Sequence, residues 1–105
     1  MKLRPDFALA ANNLGFVYYK QEKYAEAARW FEHTIKIDPS RALAYSNLGD
    51  ALLKLSRQAD ARRAYQRIPK IAPGTRLAAY AAEKLRELGT GSPDAKAAPP
   101  TGKKG

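Results

Sequence analysis

Two near copies of one pattern lie 34 residues apart, and that spacing restricts the chain to a small set of folds. Asn13, Leu14 and Gly15 recur as Asn47, Leu48 and Gly49, Lys20 recurs as Lys54, Ala27 as Ala61, and Pro39 as Pro73. A fixed period of this length marks stacked supersecondary units, none of which buries its apolar side alone, rather than an ordinary globular core.

Within each unit the apolar residues recur at helical spacing. Leu14, Val17 and Tyr18 share one face of a first helix, and after the polar break "KQEK" a second face holds Tyr24, Ala27, Ala28, Phe31, Thr34 and Ile35. The second unit repeats the plan with Tyr45, Leu48, Leu52 and Leu55, then Ala61, Tyr65 and Ile68. Each unit is therefore expected to be a helix, a short turn and a second helix. Pro69 falls in the last turn expected of its helix, so it should end or kink that helix near Ile68.

Pro5, Pro39 and Pro73 punctuate the chain at the same period, each followed by a helix-start signal: Asp6, Ser40 and the pair Gly74-Thr75. Pro5 then reads as the close of a preceding unit, with residues 1–7 a remnant or lead-in, and an excised segment of a longer protein is favoured over an abbreviated one. Units follow at 8–41 and 42–75. One more amphipathic helix, expected over 76–89, turns Leu77, Ala81, Leu85 and Leu88 to one side and Glu83, Arg86 and Glu87 to the other, with Gly89 in the usual C-terminal position. A polar outer side suits a helix that caps a stack. Residues 90–105 hold Gly, Pro, Ser and Lys but no large apolar side chain, so burial cannot offset the entropy of ordering them, and a disordered basic tail is expected.

The pattern W-x2-L-G-x2-Y, A-x3-F, P is met by Leu14, Gly15, Tyr18, Ala27, Phe31 and Pro39, and by Leu48, Gly49, Leu52, Ala61, Tyr65 and Pro73. On these residues the chain resembles the tetratricopeptide repeat family. Ala11 stands where the large aromatic usually does, Tyr45 partly restores it, and Leu52 replaces the tyrosine. The resemblance implies an all-α, right-handed helical-hairpin solenoid of two units plus a C-terminal capping helix. Gly15 and Gly49 with Ala27 and Ala61 would let paired backbones approach, and Tyr18, Tyr24, Phe31 and Tyr65 would fill the core.

Little in the inventory suits catalysis. The chain has no cysteine and one histidine, His33, with no second ligand at metal spacing, and Glu22, Glu26 and Glu32 read as solvated helix residues. The chain is expected not to be an enzyme and to need no cofactor. Neither a signal-like apolar run nor a stretch of membrane-spanning length occurs, which makes a soluble cytoplasmic protein without a membrane span the default.

Binding is the stronger reading. The resemblance implies a concave groove lined by first helices, here presenting Asn12, Asn13, Phe16, Tyr19 and Lys20, then Asn47, Asp50, Leu53 and Lys54, then Leu77, Tyr80 and Lys84. Asn13 and Asn47, one repeat apart, resemble the asparagine ladder of sugar-transferase superhelices, in which side-chain amides bond an extended peptide backbone; the reading of equal weight is that each bonds a neighbouring turn. The carboxylate clamp of chaperone adaptors is matched only at Asn47, because Asn12, Phe16, Leu77 and Ala81 stand where its other polar and cationic residues belong.

The partner implied is a protein or peptide. A formal charge of +9 also permits acidic partners or nucleic acid, with Arg57, Arg62, Arg63 and Arg67 forming a candidate basic patch, although no aromatic platform accompanies them. Two units are few for a stable stack, so exposed Leu9, Ala10 and Val17 raise self-association into a homo-oligomer as the alternative role.

Overall fold

The computed structural model describes residues 5–89. Five helices follow one another among them: α1 (Pro5–Lys20), α2 (Tyr24–Ile37), α3 (Ala42–Lys54), α4 (Gln58–Ile71) and α5 (Arg76–Glu87). Each packs on the next, the first helices α1, α3 and α5 touch in series, and α2 and α4 do not meet. That pattern is the stacked-hairpin solenoid the repeat predicts. Residues 1–4 of the expected lead-in and the whole expected tail, 90–105, lie outside the described residues.

The two hairpin turns are solved identically, by a device their composition does not announce. Glu22 (φ 65°) and Ser56 (φ 62°), 34 apart, adopt the left-handed conformation that usually calls for glycine. Lys23 N–H then reaches Tyr18 C=O, and Arg57 N–H reaches Leu52 C=O, both at 2.9 Å. These bonds close the first helices in the Schellman manner and aim the chain back along itself.

Gly15 and Gly49 cost helix stability, about 1 kcal/mol each relative to alanine, and the packing explains them. A Cβ on Gly15 would lie 2.6 Å from Phe31 Cε1, and one on Gly49 2.6 Å from Tyr65 Cε1. The fully buried Phe31 and Tyr65 rings thus lie directly against the backbones of α1 and α3. Around them Ala27, Tyr45, Leu48, Ala51, Leu52, Ala61, Ile68, Ala81 and Leu88 form one continuous core. Thr34, also fully buried, satisfies its hydroxyl by donating to Trp30 C=O at 2.9 Å. Tyr18 and Tyr24 are only half-buried at its margin.

Four local expectations change. Pro5 opens α1 instead of ending a preceding turn, so residues 5–7 are helix, consistent with proline's fitness for a first helical position. Ser40 caps nothing: its N–H and hydroxyl both bond Asp38 Oδ1, forming a turn centred on the aspartate, and Arg41 precedes α3 without a side-chain cap. Pro69 does not stop α4, which runs on to Ile71, because the fully buried Ile68 before it anchors that turn and Ala72 N–H still reaches Ile68 C=O at 2.8 Å. The capping helix ends at Glu87, with Leu88 and Gly89 (φ 98°) forming its exit. Thr75, by contrast, caps α5 as its sequence suggests, accepting from Ala78 N–H at 3.2 Å.

Candidate functional site

The first helices α1, α3 and α5 lie side by side, so one surface of the stack collects residues from all three. At its centre is Asp50. Its Oδ1 accepts from the Tyr65 hydroxyl at 2.5 Å and from the Tyr80 hydroxyl at 2.9 Å, joining α3, α4 and α5. The rings of Tyr65 and Tyr80 meet edge to face, 6.3 Å between centroids. Desolvation chiefly, then bonding to the Asp50 carboxylate, pushes both phenols well above the usual tyrosine range. Tyr19 is raised by partial burial and then by the charge of Asp50.

Over this carboxylate lies a cavity of about 370 Å³, bounded by Tyr19, Asp50, Leu53, Lys54, Tyr80 and Lys84. A cleft of only about 20 Å³ extends it toward Phe16 and Asn47. The lysines of this surface lean on aromatic rings: Lys20 on Phe16 at 5.5 Å, Lys54 on Tyr24 at 5.8 Å and Lys84 on Tyr80 at 5.7 Å. Such contacts hold an ammonium in place while leaving its donors available to a ligand. Lys84 also pairs with Glu87 at 3.4 Å.

Of the residues named from sequence for the groove, Tyr19, Asp50, Leu53 and Lys54 meet at this cavity, with Phe16 and Asn47 at the cleft beside it. Asn12 is withdrawn from this surface. It is buried, and its Oδ1 accepts from Asn47 Nδ2 at 3.2 Å across α1 and α3. Asn47 keeps its second N–H and its carbonyl oxygen for other partners, whereas Asn13 is exposed, so the two asparagines one repeat apart are not equivalent in surroundings.

The expected basic patch also changes. Arg62 is buried, not a surface cation: its guanidinium donates to Leu88 C=O at 3.0 Å and Gly89 C=O at 3.2 Å, satisfying carbonyls at the end of α5. Arg57 and Arg63 share the Asp60 carboxylate, which hydrogen bonding by Arg57 holds below the usual range. Arg67 lies 5.9 Å over the Tyr45 ring. Three arginines thus remain on the surface, two already paired with one acid, beside a cavity of about 330 Å³ over Tyr45, Leu48 and Leu52.

His33 is exposed and meets the Trp30 ring edge to face at 5.7 Å. No group of three or more histidine, aspartate or glutamate side chains among the described residues is placed to hold a metal, and no described helix is long and apolar enough to cross a membrane.

A family model described as tetratricopeptide repeat matches residues 6–72. No curated protein matches the chain.

Proposed function

Since the chain belongs to the tetratricopeptide repeat family, whose members typically serve protein–protein interaction without catalysis, we propose that it holds an extended peptide, or a partner's helix, along the surface of α1, α3 and α5. The observation that carries this reading is the preorganised cavity over Asp50, where a carboxylate fixed by two hydroxyls lies beside two ring-supported lysines. Groups already held in place lose little entropy on binding. Asn47, with an N–H and an oxygen still to offer, suits a peptide backbone, while Phe16 and Leu53 supply apolar contact.

Selection from a displayed peptide library on the immobilised chain tests this. Enriched peptides should lose about tenfold or more in affinity when Lys54→Ala and Tyr80→Ala are combined, and should be indifferent to Arg63→Ala on another face. Failure to enrich any peptide, or binding that ignores the paired substitutions, would sink the proposal.

A further inference from the structure

We infer that the gap between α2 and α4 receives an aromatic side chain of a partner protein, with a carboxylate next to it in the partner's sequence. The two second helices do not meet, and α3 floors the space between them. This is the cavity of about 330 Å³ over Tyr45, Leu48, Leu52 and Ala64, all of them buried. It shares no lining residue with the cavity over Asp50, so it is a second site and not an extension of the first.

The repeat indicates what fills the gap. Position 64 holds alanine, whereas its counterpart 34 residues earlier is Trp30, half-buried. One turn further on, Arg67 corresponds to His33, which meets the Trp30 ring edge to face at 5.7 Å. The first unit supplies an indole from its own helix at this place, and the second leaves apolar room beside the same turn. An aromatic ring brought from outside suits that room in size and polarity.

Charge selects the group beside the ring. Arg57 and Arg63 both pair with Asp60, but Arg67 has no carboxylate partner among the described residues, and its guanidinium lies 5.9 Å over the Tyr45 ring. Ring support steadies the planar fork and leaves its donors for a carboxylate, which it can hold through two parallel bonds. Glu32, on the α2 wall, has no ion pair among the described residues either, so the rim is anionic along α2 and cationic along α4. An acid on the partner is therefore admitted on the α4 side alone.

The source of the ring follows from exposure. No charged side chain lining the gap is buried: Glu32, Arg57, Arg63 and Arg67 are exposed and Asp60 is half-buried. A free small ligand would keep its charged end in water there, whereas pockets for such ligands bury about 70–90% of them. A side chain carried by a protein meets no such limit, because the partner's own surface closes the mouth and excludes water.

Nuclear magnetic resonance of the isotope-labelled intact chain, titrated with blocked peptides, tests this. Acetyl-Ala-Trp-Glu-Ala-amide should shift the amides of Leu48, Ala64 and Arg67 with a dissociation constant on the order of 1 mM. Replacing its Glu by Lys, or its Trp by Ala, should weaken binding about fivefold or more. Arg67→Gln, at an exposed residue, should weaken it by a similar factor and abolish the preference for Glu over Lys. Ala64→Trp, which places the first unit's own side chain in the gap, should abolish binding with helical circular dichroism retained. Lys54→Ala, on the surface of α1, α3 and α5, should change nothing, which keeps this inference separate from the proposed function. The inference is overturned if no saturable shift occurs up to about 10 mM peptide, if Arg67→Gln is without effect, or if the shifts fall on Tyr19 and Tyr80 and vanish with Lys54→Ala. It is equally overturned if indole-3-acetate alone binds as tightly as the peptide, which would assign the gap to a free aromatic acid.

Discussion

The hydroxyl of Tyr65 donates to Oδ1 of Asp50 at 2.5 Å, tying the second helix of a hairpin to the first. The Tyr65 ring is fully buried against Gly49, so its one polar atom has little access to water, and Asp50 is the acceptor that makes the burial tolerable.

Asp50→Ala should therefore destabilise the fold by about 1–3 kcal/mol, the range for a buried donor left without a partner. Tyr65→Phe removes the donor together with the need for an acceptor, and should cost less. In urea denaturation, the double variant Asp50→Ala, Tyr65→Phe should be more stable than the sum of the single losses. Additive losses would mean that the hydroxyl and carboxylate are not energetically coupled.

The same pair predicts an alkaline limit. Tyr65 and Tyr80 are held above the ordinary phenol value of 10.0 in the fold, so below that pH both folded and unfolded chains keep these protons and stability is unaffected. As pH rises past 10.0 the unfolded chain loses protons that the folded chain retains, and stability falls from there upward. Phenolate absorbance should show Tyr65 and Tyr80 ionising later than exposed tyrosines, and only with unfolding. Tyr80→Phe should flatten the decline of denaturation midpoint above pH 10.0 relative to the unsubstituted chain.

The glycines allow a comparison between units. Alanine at Gly15 or Gly49 gains helix propensity but brings a Cβ within 2.6 Å of an aromatic carbon. Overpacking of this kind costs about 1–3 kcal/mol, outweighing the propensity gain of about 1 kcal/mol. Phe31 has no hydroxyl to hold it and can withdraw with its helix, whereas Tyr65 is pinned to Asp50. Gly49→Ala should accordingly lower the thermal midpoint more than Gly15→Ala, and the order should vanish in a Tyr65→Phe background.

Reading the sequence located the hairpins because equivalent positions in successive units solve the same packing problem, and Phe31 and Tyr65, or Gly15 and Gly49, repeat for that reason. The turn residues Glu22 and Ser56 are not legible in the sequence, since left-handed backbone normally signals itself through glycine or asparagine. The place of Asp50 on a first helix is legible in the repeat, but its bonds to Tyr65 and Tyr80 depend on how helices 15 and 30 residues away are rotated about their axes. The same holds for Asn12 and Asn47, read as two ligand-facing amides and found bonded to each other. Net charge hides still more, for an arginine counts equally whether it faces water or caps a buried carbonyl.

Arg62 and Arg63 make that last point testable, being adjacent in sequence and opposite in role. Arg62 is 7% exposed and holds the carbonyls of Leu88 and Gly89, while the side chain of Arg63 is 70% exposed and pairs with Asp60. Hydrogen bonds from a charged donor contribute about 1.5–3 kcal/mol, and an exposed ion pair about 0–1 kcal/mol. Arg62→Gln should thus release the end of α5, seen as faster amide exchange over Leu85 to Gly89 and a loss of about 1.5–3 kcal/mol, whereas Arg63→Gln should leave both nearly unchanged. A nucleic-acid role would reverse the sensitivity: Arg63→Gln and Arg67→Gln would weaken a salt-dependent complex, and Arg62→Gln would act only through stability.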